Sequence, residues 1–372
     1  MIEYVEIRGA DLHTIGIIDI ATSIIWHSVY FGVGDFEIYA PATPEIVALL
    51  QIEYYVTRPN NTEVGIIESI DIATNEEDGK MITATGRFAK SILDRRLIYQ
   101  LSGTSNTATI LRGYVETAVR EVVKNNAIDC PFDSKRNISV LMLGDLANIS
   151  QKIVDSNGNT AQKQVSYGNL LEYTDEILTE YNLSATCVLR GGKLQYKIYQ
   201  GTDRSVNNAD GNTPIIFSQE FDNLTASEYS LNTTPEKNVA LIGGEGEGAN
   251  RFYSLVEKSE ADLQRREIWV DASSITKTYK DENDADKTYT DAEYKAMLDT
   301  QGMQSLALQI AAETFDGTID ATNGNWVYGR DFALGDIVTV QDNDIGIYVN
   351  VRISEATEVQ DVDGYTVDIK YQ

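Results

Sequence analysis

Histidine is almost missing from this 372-residue chain, which carries only His13 and His27. That scarcity removes most imidazole-dependent catalysis and most transition-metal centres before any motif is sought. Cysteine is as rare. Cys130 and Cys187 stand far apart in no metal or redox spacing, and are expected to be reduced, buried thiols. Long apolar runs are absent too: none approaches the ~18 residues of a membrane span. The opening segment MIEYVEIRGADLHTIGIIDIATSIIW has no basic start, and Glu3, Glu6, Arg8, Asp11 and Asp19 interrupt it, so no secretory signal is expected. Basic charge is the remaining shortage, with 30 Lys and Arg against 57 Asp and Glu and a net charge of −27. Such a surface repels phosphate, which argues against a protein that grips nucleic acid through its backbone or docks on anionic lipid.

What is present is a foldable chain. Apolar residues make up 42% of it, enough for a buried core, and the length fits about two to four domains. The first hundred residues read as strands. IIWHSVYF (24–31) and FEIYA (36–40) form a hairpin around Gly32-Val33-Gly34-Asp35, and QIEYYVTRP (51–59), GIIESIDIAT (65–74) and KMITATGRF (80–88) continue the pattern. The segment Asn75-Glu76-Glu77-Asp78-Gly79 is a turn. Helical spacing then predicts a helix over about 106–126, on Ile110, Leu111, Tyr114, Val115, Ala118, Val119, Val122 and Val123, and a second over 168–182. Hairpins are expected about Asn157-Gly158 and between ATCVL (185–189) and KLQYKIYQG (193–201). Beyond a polar linker at 203–213, strands are expected at 214–219, 238–244 and 266–272. An acidic loop (276–293), a helix (291–314) and further strands from Trp326 complete the chain.

No motif for chemistry survives scrutiny. GGEGEG (243–248) lacks the G-x-G-x-x-G spacing, and Glu245 and Glu247 would oppose a pyrophosphate, so a turn after a strand is expected. Asp281, Asn283 and Asp286 lack the glycine and the bidentate glutamate of a calcium loop, and Asp155, Asn157 and Asn159 fail the same test. Fifty-seven acids would place some pair at any spacing a glycosidase needs, so such a pair carries no signal. His27 in its apolar strand reads as a satisfied half-buried residue. No catalytic, cofactor-binding or metal-binding residue is assigned, and no enzyme is expected. Tyrosine is the unusual abundance, 21 against nine Phe and three Trp, which suits both strand packing and protein interfaces.

Several segments, in order, carry a resemblance. They are IIWHSVYFGVGDFEIYAP near the start, GIIESIDIATNEEDGKMITATGRFAKSILDRR (65–96), YKIYQGTDRS (196–205), IIFSQEFDNL (215–224), NVALIGGEGEGANR (238–251), RREIWVDAS (265–273) and YGRDFALGDIVTVQ (328–341). Together the sequence resembles the siphophage (siphovirus Gp37-like) tail proteins related to baseplate hubs, from about residue 15 to the end. The hairpin at 150–165 and the acidic insert at 276–293 are where departures are expected.

The resemblance implies a mainly β fold with α+β parts. Two small β-barrel hub domains are expected, at 1–100 and at 206–275 with 326–372, together with an α/β domain at 101–205 and an acidic loop and helix insert at 276–325. It further implies a homotrimer in a virion tail, assembled in the host bacterial cytoplasm, that joins a hexameric tail tube to the distal tip and lines the DNA exit channel. Partners would be distal tail, tube, tip or fibre proteins, with DNA passing unbound and no membrane segment. An acidic channel wall would serve such passage, since it cannot hold phosphate; the alternative is that the acidic surface keeps a virion protein soluble. Asp203-Arg204 and Arg265-Arg266 are either buried pairs or hub contacts, and Gly335-Asp336 reads as a tight turn. The alternatives are a tail-associated cell-wall hydrolase and a carbohydrate-binding receptor module; on the hub reading any lysis is expected from a separate polypeptide.

Overall fold

The computed structural model describes residues 4–59, 61–76, 79–99, 109–155, 158–221, 223, 226–257, 261–280, 285–319, 326–344 and 346–372. Strands dominate, with four α-helices among the described residues: α1 (Pro44–Leu49), α2 (Val115–Val123), α3 (Leu170–Glu180) and α4 (Asp291–Ala307).

The predicted first hairpin is present, Ser23–Val29 pairing with Asp35–Pro41, and Trp26, Phe36 and Ile38 alternate into the core as a half-buried strand requires. It sits inside a ten-stranded sheet. Along its main path the order is Ala226–Asn232, Ala312–Ile319, Gly364–Tyr371, Ile347–Asp361, Ser23–Val29, Asp35–Pro41, Gly79–Arg87 and Ser69–Asn75. Ile337–Asp342 branches off Ile347–Asp361 and carries Ile216–Ser218 parallel to it. The two β regions expected as separate barrels therefore share one sheet, whose ladder is open among the described residues. Ile347–Asp361 makes this sharing physical. At 15 residues it is long enough for its first part to pair with Ile337–Asp342 and its last part with Ser23–Val29, and a register shift between Ile353 and Glu355 re-aims it between the two.

Among the described residues, buried side chains gather in four cores. One, from Val5 to Phe88, lies under the first hairpin; a second, from Leu12 to Ile198, holds α2 and α3. A third joins Ile215 and Phe217 to Phe332–Tyr371, and a fourth packs Ala240, Ile242, Val256 and Val270 against Tyr294, Met297 and Leu298 of α4. The strands Val239–Gly243, Tyr253–Glu257 and Glu267–Asp271 thus rest on the predicted insert helix.

Two predicted helices are shorter than expected. Thr109–Arg112 is a strand paired with Gln162–Val165, and Gly113, at φ +79°, turns the chain before α2 begins at Val115. Residues 106–108 lie outside the described set. The predicted 291–314 helix stops at Ala307, because Ala312–Ile319 is claimed on both sides by Ala226–Asn232 and Gly364–Tyr371. Helix α3 matches its expectation, capped by Asn169 Oδ1, which accepts from the Leu171 and Glu172 amides. Hairpin 184–199 matches as well. About Gly158, Val154 bridges Thr160, with Asn157 outside the described residues, as are Glu77 and Asp78 of the predicted acidic turn.

Helix α4 is fastened to the central core by a buried charge. Lys163 pairs with Glu180 at 2.8 Å and donates to the Thr300 carbonyl and Gln304 Oε1. Burial lowers the Lys163 ammonium and raises the Glu180 carboxyl from their ordinary values, as expected for a desolvated pair.

Candidate functional site

The sequence segments 238–251 and 265–273 build one surface. Val239–Gly243 lies between Tyr253–Glu257, antiparallel, and Glu267–Asp271, parallel. Strand alternation sends Ala240 and Ile242 down onto α4, and sends Leu241 outward between Leu255 and Trp269. Leu241, Tyr253, Leu255 and Trp269 keep 42–50% of their surface exposed. The Trp269 ring lies over Gly243, where a Cβ would approach it to 2.3 Å, so glycine is needed there for close approach. Tyr253 meets the same ring at 6.3 Å, and the Arg251 guanidinium stands 5.1 Å above it.

Charged groups edge this apolar centre at both ends. Arg251 donates to the Gly243 and Gly244 carbonyls and to Asp271 (2.6 Å). At the far end Arg265 bridges Glu257 (2.8 Å) and Glu267 (2.5 Å). An apolar aromatic centre inside a polar rim has the anatomy of a protein–protein contact.

The other residues singled out from the sequence fall into structural roles. GGEGEG is the turn after Val239–Gly243, where the Glu245 amide donates to Tyr294 Oη and Glu245 Oε2 accepts from the Lys277 amide. Arg265 and Arg266 are rim and surface groups, Arg266 pairing with Glu236 at 2.9 Å. Arg204 pairs with Asp336 at 2.9 Å, not with Asp203. Asp336 also accepts from the Thr202 and Ala333 amides, so the 203–204 and 335–336 segments close one knot. His27 is half-buried between Asp35 and Glu355, at 3.1 Å from each; His13 is exposed beside Asp11. Both cysteines are free and buried, and burial pushes the Cys187 thiol up to about 12. Asp155 accepts from Asn159 within its own turn. Asp286 stands in the short hairpin Thr278–Lys280/Asp286–Thr288, while Asp281 and Asn283 lie outside the described residues. No cluster of metal-ligating side chains occurs among the described residues. Tyr30, Tyr196, Tyr294 and Tyr371 are core residues, and Tyr253, Tyr229 and Tyr167 face outward.

The sequence offered two of the three strands of the surface but not Tyr253–Glu257, which carries Tyr253 and Leu255, nor that the other two are neighbours in one sheet. Their alternation, VALIG and EIWVD, was the available signal; the parallel pairing across 23 intervening residues (244–266) was not.

Comparison with solved structures matches the whole fold. The tail protein from Neisseria meningitidis MC58 aligns at 14% identity and TM-score 0.57, over 99% of this chain and 96% of that one. The 43 kDa tail protein of prophage MuSo2 from Shewanella oneidensis aligns at 13% identity and TM-score 0.58, over 100% and 98%. Prophage tail protein gp18 from Listeria monocytogenes EGD-e gives 13% and 0.53, over 99% and 94%. No curated protein sequence matches the chain. The family model described as Siphovirus ReqiPepy6 Gp37-like protein matches residues 4–370, and with that span covered the chain belongs to this family.

Proposed function

We propose that the protein is a structural, non-catalytic component of a siphovirus or prophage tail tip. In this reading it is a trimeric hub that joins the six-fold tail tube to the three-fold tip and surrounds the DNA exit path. The observation that carries it is family membership over residues 4–370, reinforced by a fold shared end to end with three tail proteins, two of them from prophages. Each subunit would contribute two barrel-like β units, one near 1–100 and one combining 206–275 with 326–372. The third core, which ties Ile215 and Phe217 to Phe332–Tyr371, supports part of that second grouping. The exposed face of Leu241, Tyr253, Leu255 and Trp269 is the surface we assign to contact with a neighbouring subunit or tail protein. A net charge of −27 per chain suits a wall that DNA must pass without sticking.

Antibody raised against the purified protein tests the placement on intact particles. Gold label confined to the distal end of the tail is the expected pattern. Label along the tube, or on the capsid, would overturn it.

A further inference from the structure

A polar seam runs where three of the four cores meet. Ser28 comes from the first hairpin, Glu63 bridges the backbone of Val188 in the central unit, and Tyr328 and Leu334 come from the C-terminal unit. With Thr186 and Tyr199 they line a cleft of about 340 Å³. The Glu63 carboxylate accepts from the buried Ser28 hydroxyl, while its backbone amide donates to Asn61 Oδ1.

The charges facing Glu63 are engaged elsewhere. Glu358 takes Arg58 (3.4 Å), Asn61 (3.3 Å) and Tyr365 (2.6 Å). Lys90 pairs with Asp175 at 2.9 Å, and His27 with Asp35 and Glu355. The Tyr199 and Tyr328 hydroxyls, raised by burial, stay protonated. Among the described residues no ion pair reaches Glu63, so its charge is the uncompensated one in the seam.

We propose that this seam is a proton-linked latch: with Glu63 neutral the three units close on the cleft, and with Glu63 ionised the cleft hydrates and their junction loosens. Glu63 as a residue is half-buried, and desolvation of its carboxyl raises it from 4.5 to about 7, against the opposing pull of Ser28, Lys90 and His27 and with a further push from Glu358. The folded-state value lies above the unfolded one. Stabilisation by the neutral form is therefore fully present below about 4.5 and is lost as the pH rises through about 7. This pH dependence goes beyond the tail role and stands independently of it.

Hydrogen–deuterium exchange of the full chain tests the latch, with intrinsic rates corrected for pH and protection read on Ser23–Val29, Val64–Ile66 and Ser184–Arg190. Protection of these strands should fall between slightly acidic and slightly alkaline buffer in the wild type. In Glu63→Gln, which keeps the shape of the neutral acid, it should stay level. An equal fall in both proteins overturns the proposal. Should Glu63→Gln not fold, Ser28→Ala decides the matter: it removes the bond that favours the charged form, so the midpoint of the transition must move to higher pH. A midpoint that is unchanged or lower refutes the latch.

Discussion

Single residues in this protein act mainly through where they let neighbouring chain lie. Gly335 turns at φ +89°, and a Cβ there would sit 2.2 Å from the Tyr30 ring. Tyr30 itself donates to the Asn182 carbonyl, packs edge-on to Tyr199 at 5.5 Å and lies under Arg352 at 5.2 Å. A residue of the first hairpin thus anchors the C-terminal core. Gly335→Ala should destabilise the fold by roughly 2–4 kcal/mol, combining left-handed strain with overpacking. Chemical unfolding checks this, and a loss under about 0.5 kcal/mol would mean that the ring is free to move aside. The cysteines give a second residue-scale expectation. Cys130 and Cys187 should resist maleimide in the native protein and react together on unfolding, since both are buried and free.

Among the elements, α4 shows most clearly what sequence could and could not tell. Its start was legible: Thr290 and Glu293 form a reciprocal capping box, with the Glu293 amide donating to Thr290 Oγ1 and the Thr290 amide to Glu293 Oε2. Its end was not, because Ala312–Ile319 becomes a strand through partners more than forty residues away on one side and some eighty on the other. The same split recurs at Thr109–Arg112, whose Ile110 and Leu111 fit a helical stripe until Gln162–Val165 claims them as strand. Local periodicity found α3, the first hairpin and hairpin 184–199, where the contacts that matter are near in sequence. The exposed face was part legible: Val239–Gly243 and Glu267–Asp271 were read as strands, whereas Tyr253–Glu257 and the parallel register were not. Thr290→Ala should cost about 1 kcal/mol of stability. Lys163→Ala should cost more, about 3–5 kcal/mol, by leaving Glu180 buried without its cation. Replacing both partners, Lys163→Met with Glu180→Leu, should recover much of that loss. A double variant as unstable as Lys163→Ala would show that the pair does more than neutralise itself.

Across the whole molecule, charge and apolar surface pull in opposite directions. Copies carrying −27 each repel one another, whereas the proposed contact face around Trp269, being apolar and exposed, would favour association. Association should therefore strengthen as ionic strength rises from about 0.01 M to about 0.1 M, where the screening length shortens from about 30 Å to about 10 Å. Weakening over that range would mean that attractive ion pairs dominate the contact. Trp269→Asp should reduce association while leaving the melting transition nearly unchanged, because the residue is already about half exposed (49%). Full association in that variant would move the interface elsewhere on the molecule. The central claim, a three-fold hub, is most directly tested by negative-stain electron microscopy of the purified protein at high concentration. The account predicts three-fold rings with six peripheral lobes and an open centre; a uniform field of single subunits, or rings of another symmetry, would contradict it.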